Sequence, residues 1–354
     1  MTVVHIVMPD GIDDPQRPSG GNVYDRQLCR ELTAIGWSVH EHAVPGSWPT
    51  PAPSDRARLG DAVAGIPDGV VVLIDGLVAS TAPDVLVPEA RRLRLIILVH
   101  MPLDDGLPGA EADQARTREG AVLSAADAVV TPSAWTRSRL LDRHSLRPDR
   151  VHVAEPGVVA ADIAAGTARG DELLCVAAVA PHKGHDVLLA ALAMIRHLPW
   201  HCTCVGSLDR DPGFADRLRS QAVDDRISDR VRFTGPLTRE ELHTVYAASD
   251  VLVLASRGET YGMVVTEALA RGLPVIATAV GGLPQALGRG SDGGLPGLLV
   301  PPDDPAALAE ALRAWLGDAD LRRQLRQSAE QRRVTLSGWS ATASQVARVI
   351  AEVA

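Results

Sequence analysis

Residues 256–277 read SRGETYGMVVTEALARGLPVIA, and their reading decides the fold. The apolar run DVLVLA just before them (250–255) has the length and β-branched content of a buried strand. The loop that follows carries Glu259 and closes at Gly262. A helical apolar pattern then runs to Gly272, a stop glycine with Pro274 beyond it. PVIAT (274–278) is a strand again. Strand, helix and strand in this order make a βαβ unit, whose two strands lie parallel.

The same alternation extends in both directions. VVHIV (3–7), VVVLI (70–74), LRLIILV (93–99) and DAVVT (127–131) read as buried strands, with a helix over 21–36 ending at Gly36. The pattern restarts after the Gly/Ala-rich stretch 155–171. ELLCVAAVA (172–180), HCTCVG (201–206), RVRFTG (230–235) and GLLVP (297–301) complete a second set of strands. Thr238 and Glu241 form a capping box at one helix start. The expected fold class is α/β, with two Rossmann-like, doubly wound parallel-sheet domains.

A chain of 354 residues suits two domains. Its 46% hydrophobic and 22% charged content is that of an ordinary folded protein. A net charge of -9 and few aromatics argue against nucleic acid or an anionic membrane surface as partner. No apolar run approaches the ~20 residues of a membrane span. The start reads as a strand, not a signal peptide, so the expected location is cytoplasmic. Of the four cysteines, Cys202 and Cys204 share one face of a strand and read as core thiols rather than a metal pair.

In open parallel sheets, ligands bind beyond the carboxyl ends of strands. Glu259 lies there, ahead of the helix, where a helix-dipole role explains it poorly. The amides of Gly262, Met263 and Val264 form an anion site at the helix start, and a glutamate accepts from vicinal hydroxyls. Phosphate and hydroxyls together are what a nucleotide-sugar presents. Lys183 and Gly184 follow another strand, where a lysine neutralises a diphosphate or simply faces solvent. Gly20 and Gly21 precede the first helix. His100 ends strand 93–99, a position that suits either a structural histidine or a ligand contact.

Together these stretches resemble the retaining, GT-B-fold glycosyltransferases of family four, over almost the whole chain. The resemblance rests on GETYGMVVTEALARGLPVIATAVGG with its E-x7-E spacing, and on SGG, HMP, HKG, VRFTGPLTREELHTVYAASDVLVLAS and GLLVPPDDPAALAEAL. It implies an acceptor-binding domain over 1–165 and a nucleotide-sugar domain over 166–336, facing a cleft. A last helix, 337–354, would pack back on the first domain. It also implies site roles: Glu267 on the ribose, Glu259 on the donor sugar, Lys183 with the Met263 and Val264 amides on the diphosphate. Gly20 and Gly21 would approach the phosphates, Gly235 and Leu237 would flank the base, and His100 would line the reaction centre. Relatives carry an arginine five positions before the lysine, where this chain has Ala178; Arg257, ahead of His182, is the expected substitute.

The implied activity is metal-independent hexosyl transfer, with retention, to a hydroxyl of a soluble small molecule. No cofactor is expected beyond the donor substrate. Partners are the nucleotide-sugar and the acceptor, with no integral membrane association, in a monomer or homodimer. The alternatives are a nucleotide-sugar epimerase or hydrolase of the same fold, or a silent nucleotide-sugar-binding subunit. The absence of GxGxxG after any strand disfavours a dinucleotide oxidoreductase.

Overall fold

The structure, a computed structural model, describes residues 2–14 and 18–354. The chain forms two compact units. One takes the chain up to Asp14 with Ser19–Gly157 and Ser337–Ala354, the other Val158–Leu336.

The first unit holds a six-stranded sheet: β1 (Val3–Pro9), β2 (Ser38–Val44), β3 (Val71–Asp75), β4 (Arg94–Leu98), β5 (Ala128–Thr131) and β6 (Val151–Val153). Its order is β2-β1-β3-β4-β5-β6, parallel throughout. The second unit holds β7 (Glu172–Val176), β8 (His201–Val205), β9 (Val231–Gly235), β10 (Val251–Leu254), β11 (Val275–Thr278) and β12 (Gly297–Val300). Its order is β12-β11-β10-β7-β8-β9, again parallel. Strands β3, β5, β10 and β11 are buried along their whole length, which is why they read as continuous apolar runs.

Two strands escaped the sequence reading. β2, SVHEHAV, is an edge strand with exposed His and Glu residues, and β6 is three residues long. β7 stops at Val176, and the apolar 177–180 leaves the sheet as the approach to Lys183.

In doubly wound sheets the strand order reverses at a switch point, and loops diverge there to leave a crevice. The switch points are β1/β3 in the first unit and β7/β10 in the second. The last helix, Trp339–Val353, belongs to the first unit. There Trp339 meets Tyr24 edge-on at 5.4 Å, and Thr342 Oγ1 donates to the Glu155 carbonyl at 2.7 Å. Gly157 is required for this contact, since a Cβ there would lie 2.3 Å from the Trp339 nitrogen.

Candidate functional site

The second unit gathers its unusual residues at the β7/β10 switch point. Lys183 ends the single turn Pro181–Lys183 after β7, and Glu259 lies in the loop after β10. Lys183 Nζ and Glu259 Oε1 are 2.7 Å apart, and Ser256 Oγ donates to the same oxygen at 2.9 Å. Glycines make this approach possible. Gly184 has φ +67, and a Cβ on it would stand 1.9 Å from the Ala255 carbonyl oxygen. A Cβ on Gly281, at φ +55, would stand 1.8 Å from the Glu259 carbonyl oxygen. The backbones of the lysine loop, the glutamate loop and the Gly281–Gly282 turn therefore pack directly against one another.

Gly262, at φ +95, opens the helix Met263–Leu269, whose first amides, Met263 and Val264, precede any acceptor within the helix. Glu267 is on this helix, half-buried, and accepts from the Tyr246 hydroxyl at 3.1 Å. Burial raises its carboxyl pKa, and the Tyr246 hydrogen bond works against that rise. The Arg271 guanidinium covers the Tyr246 ring at 4.4 Å. Gly235 ends β9 at φ +76 with open space beside it, and Leu237 follows.

Arg257 has different employment from a free phosphate ligand. Its fork binds both oxygens of Asp186 at 2.9 and 2.8 Å and Asp303 at 2.6 Å, and also donates to the Pro181 carbonyl. The guanidinium thus ties the lysine loop to the glutamate loop from behind. Neighbouring His182 is held toward its neutral form, by burial first and then by the Lys183 charge.

The first unit presents a site of another kind. Ser19 Oγ accepts from the Asn22 amide and caps the helix Gly20–Ala34. A Cβ on Gly21 would come within 3.0 Å of the His100 ring. His100 Nε2 donates to Asp25 Oδ1 at 2.7 Å and lies 3.5 Å from Asp75 Oδ2. Asp75 ends β3 and accepts the Leu77 and Val78 amides at 2.7 and 3.3 Å. Its carboxyl is pushed up to about 7, by burial first and then by the Asp25 charge. For His100, burial favours the neutral ring, but Asp25 outweighs it and the pKa is raised above 6.5.

Sequence reasoning missed Asp25 and Asp75. Asp25, Asp75 and His100 meet with ligand-type atoms all within 4.8 Å of one another. They come from a helix and two strand ends, so no spacing along the chain shows them. One signal was present: Asp25 falls on the buried face of its helix, in phase with Leu28, Cys29 and Leu32. The structure thus joins Lys183 to Glu259 and His100 to Gly21, while Glu267, Gly235 and Leu237 stand apart from the Lys183–Glu259 pair.

Paired six-stranded parallel sheets with switch-point ligand edges define the GT-B class of fold, and solved structures agree. Sucrose-phosphate synthase from Thermosynechococcus elongatus superposes with a TM-score of 0.82, covering 100% of this chain and 99% of that one at 22% identity. HepE of Anabaena, solved in complex with UDP-glucose, superposes at 0.77 over 99% of this chain and 100% of its own, at 17% identity. Residues 167–332 match the family Glycosyl transferases group 1, and the chain belongs to it. A D-inositol 3-phosphate glycosyltransferase 1 from Catenulispora acidiphila is 33% identical over 75% of this chain and 66% of its own length. Two further relatives of that description, from Corynebacterium efficiens and Frankia alni, are covered over 61% and 60% of theirs. The chain thus spans about three fifths to two thirds of the curated relatives it matches. Among the described residues, no helix is long and apolar enough to cross a membrane.

Proposed function

We propose that this protein transfers a sugar from a nucleoside-diphosphate sugar to an acceptor hydroxyl, with retained anomeric configuration. The observation that carries this reading is the Lys183–Glu259 pair at the β7/β10 switch point. An ion pair held by two glycine-dependent backbone contacts in front of a ligand edge is built to be exchanged. The diphosphate takes Lys183 and the Met263 and Val264 amides; a sugar hydroxyl takes Glu259. Glu267, oriented by Tyr246, accepts from the ribose hydroxyls, and the open Gly235–Leu237 turn flanks the base. In the first unit, Gly20, Gly21 and His100 form the edge that serves the reacting ligand.

During transfer the bond from the anomeric carbon to the phosphate oxygen breaks. A bond to the acceptor oxygen forms on the same face, and the acceptor proton passes to the departing phosphate. The protein supplies position and positive potential rather than a nucleophile. Lys183 and the helix amides provide that potential, so the reading calls for no divalent cation. Arg257 holds the lysine loop in place and does not touch the donor. The acceptor hydroxyl belongs to a soluble small molecule.

The test is calorimetry with a panel of nucleoside diphosphates and their sugars, on wild type and Glu267→Ala. A contact held equally in ground and transition states raises KM and spares kcat. The expected result is about tenfold weaker nucleotide affinity or more, with kcat kept. Unchanged affinity in the variant removes Glu267 from the ribose, and no binding of any member by wild type removes the reading.

A further inference from the structure

Asp25 and Asp75 are 3% and 7% exposed, and an oxygen of each lies with the His100 ring nitrogen in one group of atoms no more than 4.8 Å apart. Two carboxylates so placed cannot both stay ionised away from water. Asp25 Oδ2 is fully buried, and no protein N–H or O–H donor reaches it. A proton on Asp75 supplies the missing donor. Asp75 Oδ1 is already committed to two backbone amides, which leaves Oδ2 to carry it. His100 Nε2 donates to the other oxygen of Asp25. One shared proton, one carboxylate and one imidazolium leave the cluster neutral, the form in which burial costs least.

The second ring nitrogen of His100, Nδ1, makes no hydrogen bond within the protein among the described residues. The side chain is 17% exposed, so this edge of the ring is the accessible one. The titratable groups packed on the ring are Asp25 and Tyr24 from the helix Gly20–Ala34 and Asp75 from the end of β3. The Tyr24 hydroxyl is spent on the Ala154 carbonyl, and burial raises its pKa out of range. The last helix contributes Trp339, which does not titrate.

We propose that Asp25 and Asp75 hold one proton between them and so fix His100 as an imidazolium that offers Nδ1–H to an oxygen of the reacting ligand. Asp25 is then a positioning residue acting through His100. The inference rests on the transfer function argued above for His100, and it assigns that residue its charge, tautomer and support. A cationic donor stabilises negative charge that develops on the ligand during reaction; a neutral imidazole does so less.

The experiment has two readouts. The first follows the His100 ring carbons by NMR against pH; the second follows kcat/KM against pH. Both are measured for wild type, Asp25→Asn and Asp75→Asn. Asparagine keeps the shape of Asp25 and removes its charge, so burial then dominates and the His100 pKa falls by about 1 or more. The cationic form is lost as pH rises, so the alkaline limb of kcat/KM moves to lower pH by the same amount. Asp75→Asn keeps the Asp25 contact and moves both readouts less.

An unmoved His100 titration in Asp25→Asn overturns the inference. A uniform loss of kcat/KM at every pH, with the limb in place, reduces Asp25 to a structural role and also overturns it. If the His100 titration moves and the activity limb does not, the cluster stands and the functional reading of His100 fails. Should Asp25→Asn not fold, wild type decides: the Asp75 carboxyl carbon must titrate near neutrality. A His100 resonance that changes on dialysis against a chelator would place a cation, not a proton, between the acids.

Discussion

Among the described residues, each unit gathers one cluster of three groups that could hold a metal ion, and the two clusters behave oppositely. In the first unit they are Asp25, Asp75 and His100; in the second, Cys175, His185 and Cys204, all buried. The geometry is similar, since the ligand-type atoms lie within 4.8 Å in both. Parallel pairing sets Cys175 opposite Cys204, and Cys175 Sγ lies 3.7 Å from His185 Nε2. The difference is charge. Thiols are neutral at physiological pH and pack as small apolar groups; here the Cys175 pKa is raised further by its Cys204 neighbour and then by burial, and at Cys204 the Cys202 contact and burial outweigh the opposing pull of Cys175. Carboxyls near a histidine must share protons or ionise. An acidic cluster at a strand edge is expensive to keep and therefore points to use; a thiol cluster of the same size is compatible with plain core packing.

The largest expected contrast is in stability. Asp25→Ala leaves His100 and Asp75 buried without their common partner, and breaking such a group costs about 3 kcal/mol. Cys204→Ala removes a neutral sulfur from an apolar core and costs about 1 kcal/mol, the value of a small cavity. Denaturant titration of both variants measures the difference, and equal losses would erase the distinction.

A second contrast is in pH dependence. The Asp75 carboxyl titrates near 7 in the folded protein and near 3.8 when unfolded. Over that window the native state keeps a proton the unfolded chain has released, so stability falls as pH rises. His100 has a raised folded pKa, so its contribution is complete below 6.5 and is lost as pH rises through the folded value. Both act in the same direction in the first unit. The thiols, with folded pKa values well above 9, do not titrate in this range. Hydrogen exchange on β4 and β8, between about pH 5 and about pH 8, should therefore show weakening protection in β4 and a flatter response in β8. Parallel trends in both strands would place the pH sensitivity elsewhere.

The two units also differ in how much of them the sequence discloses. Glu259, Gly262 and Glu267 lie within nine consecutive positions, because one strand–helix turn builds that half of the site. Its spacing survives as a motif, and the strands around it are legible because both their faces are buried. Lys183 is 76 residues from Glu259, yet its own Lys–Gly turn marks it. Asp25 carries no such mark: from a helix face it meets His100, 75 residues away at a strand end, only in the fold. Arg257 is the opposite case. Charge and position along the chain suggest a phosphate ligand, while Asp186, in the first turn of the helix His185–Met194, and Asp303, in the turn after β12, occupy its fork.

The smallest expected effect is that of metal removal, and it tests the thiol side of the comparison. Binding a dication between Cys175, His185 and Cys204 requires at least two thiols to lose their protons in a site that water does not reach. His185 would also have to present Nε2 as a bare lone pair, with the N–H on Nδ1. That nitrogen is buried with no acceptor, whereas metal-bound histidines normally donate their second N–H to one. Tetrahedral zinc would also need a fourth group. Cys202, next along the same face of β8, stands nearest to that role. These requirements outweigh the favourable spacing. Protein purified without chelator should contain well under one metal ion per chain, by elemental analysis. Its melting temperature should stay constant within about 1 °C when a strong chelator is added, since a resident ion would add stability in proportion to its affinity. Stoichiometric zinc, released by thiol reagents and lost in Cys204→Ser, would make the second cluster the costly one and reverse the inference drawn from charge.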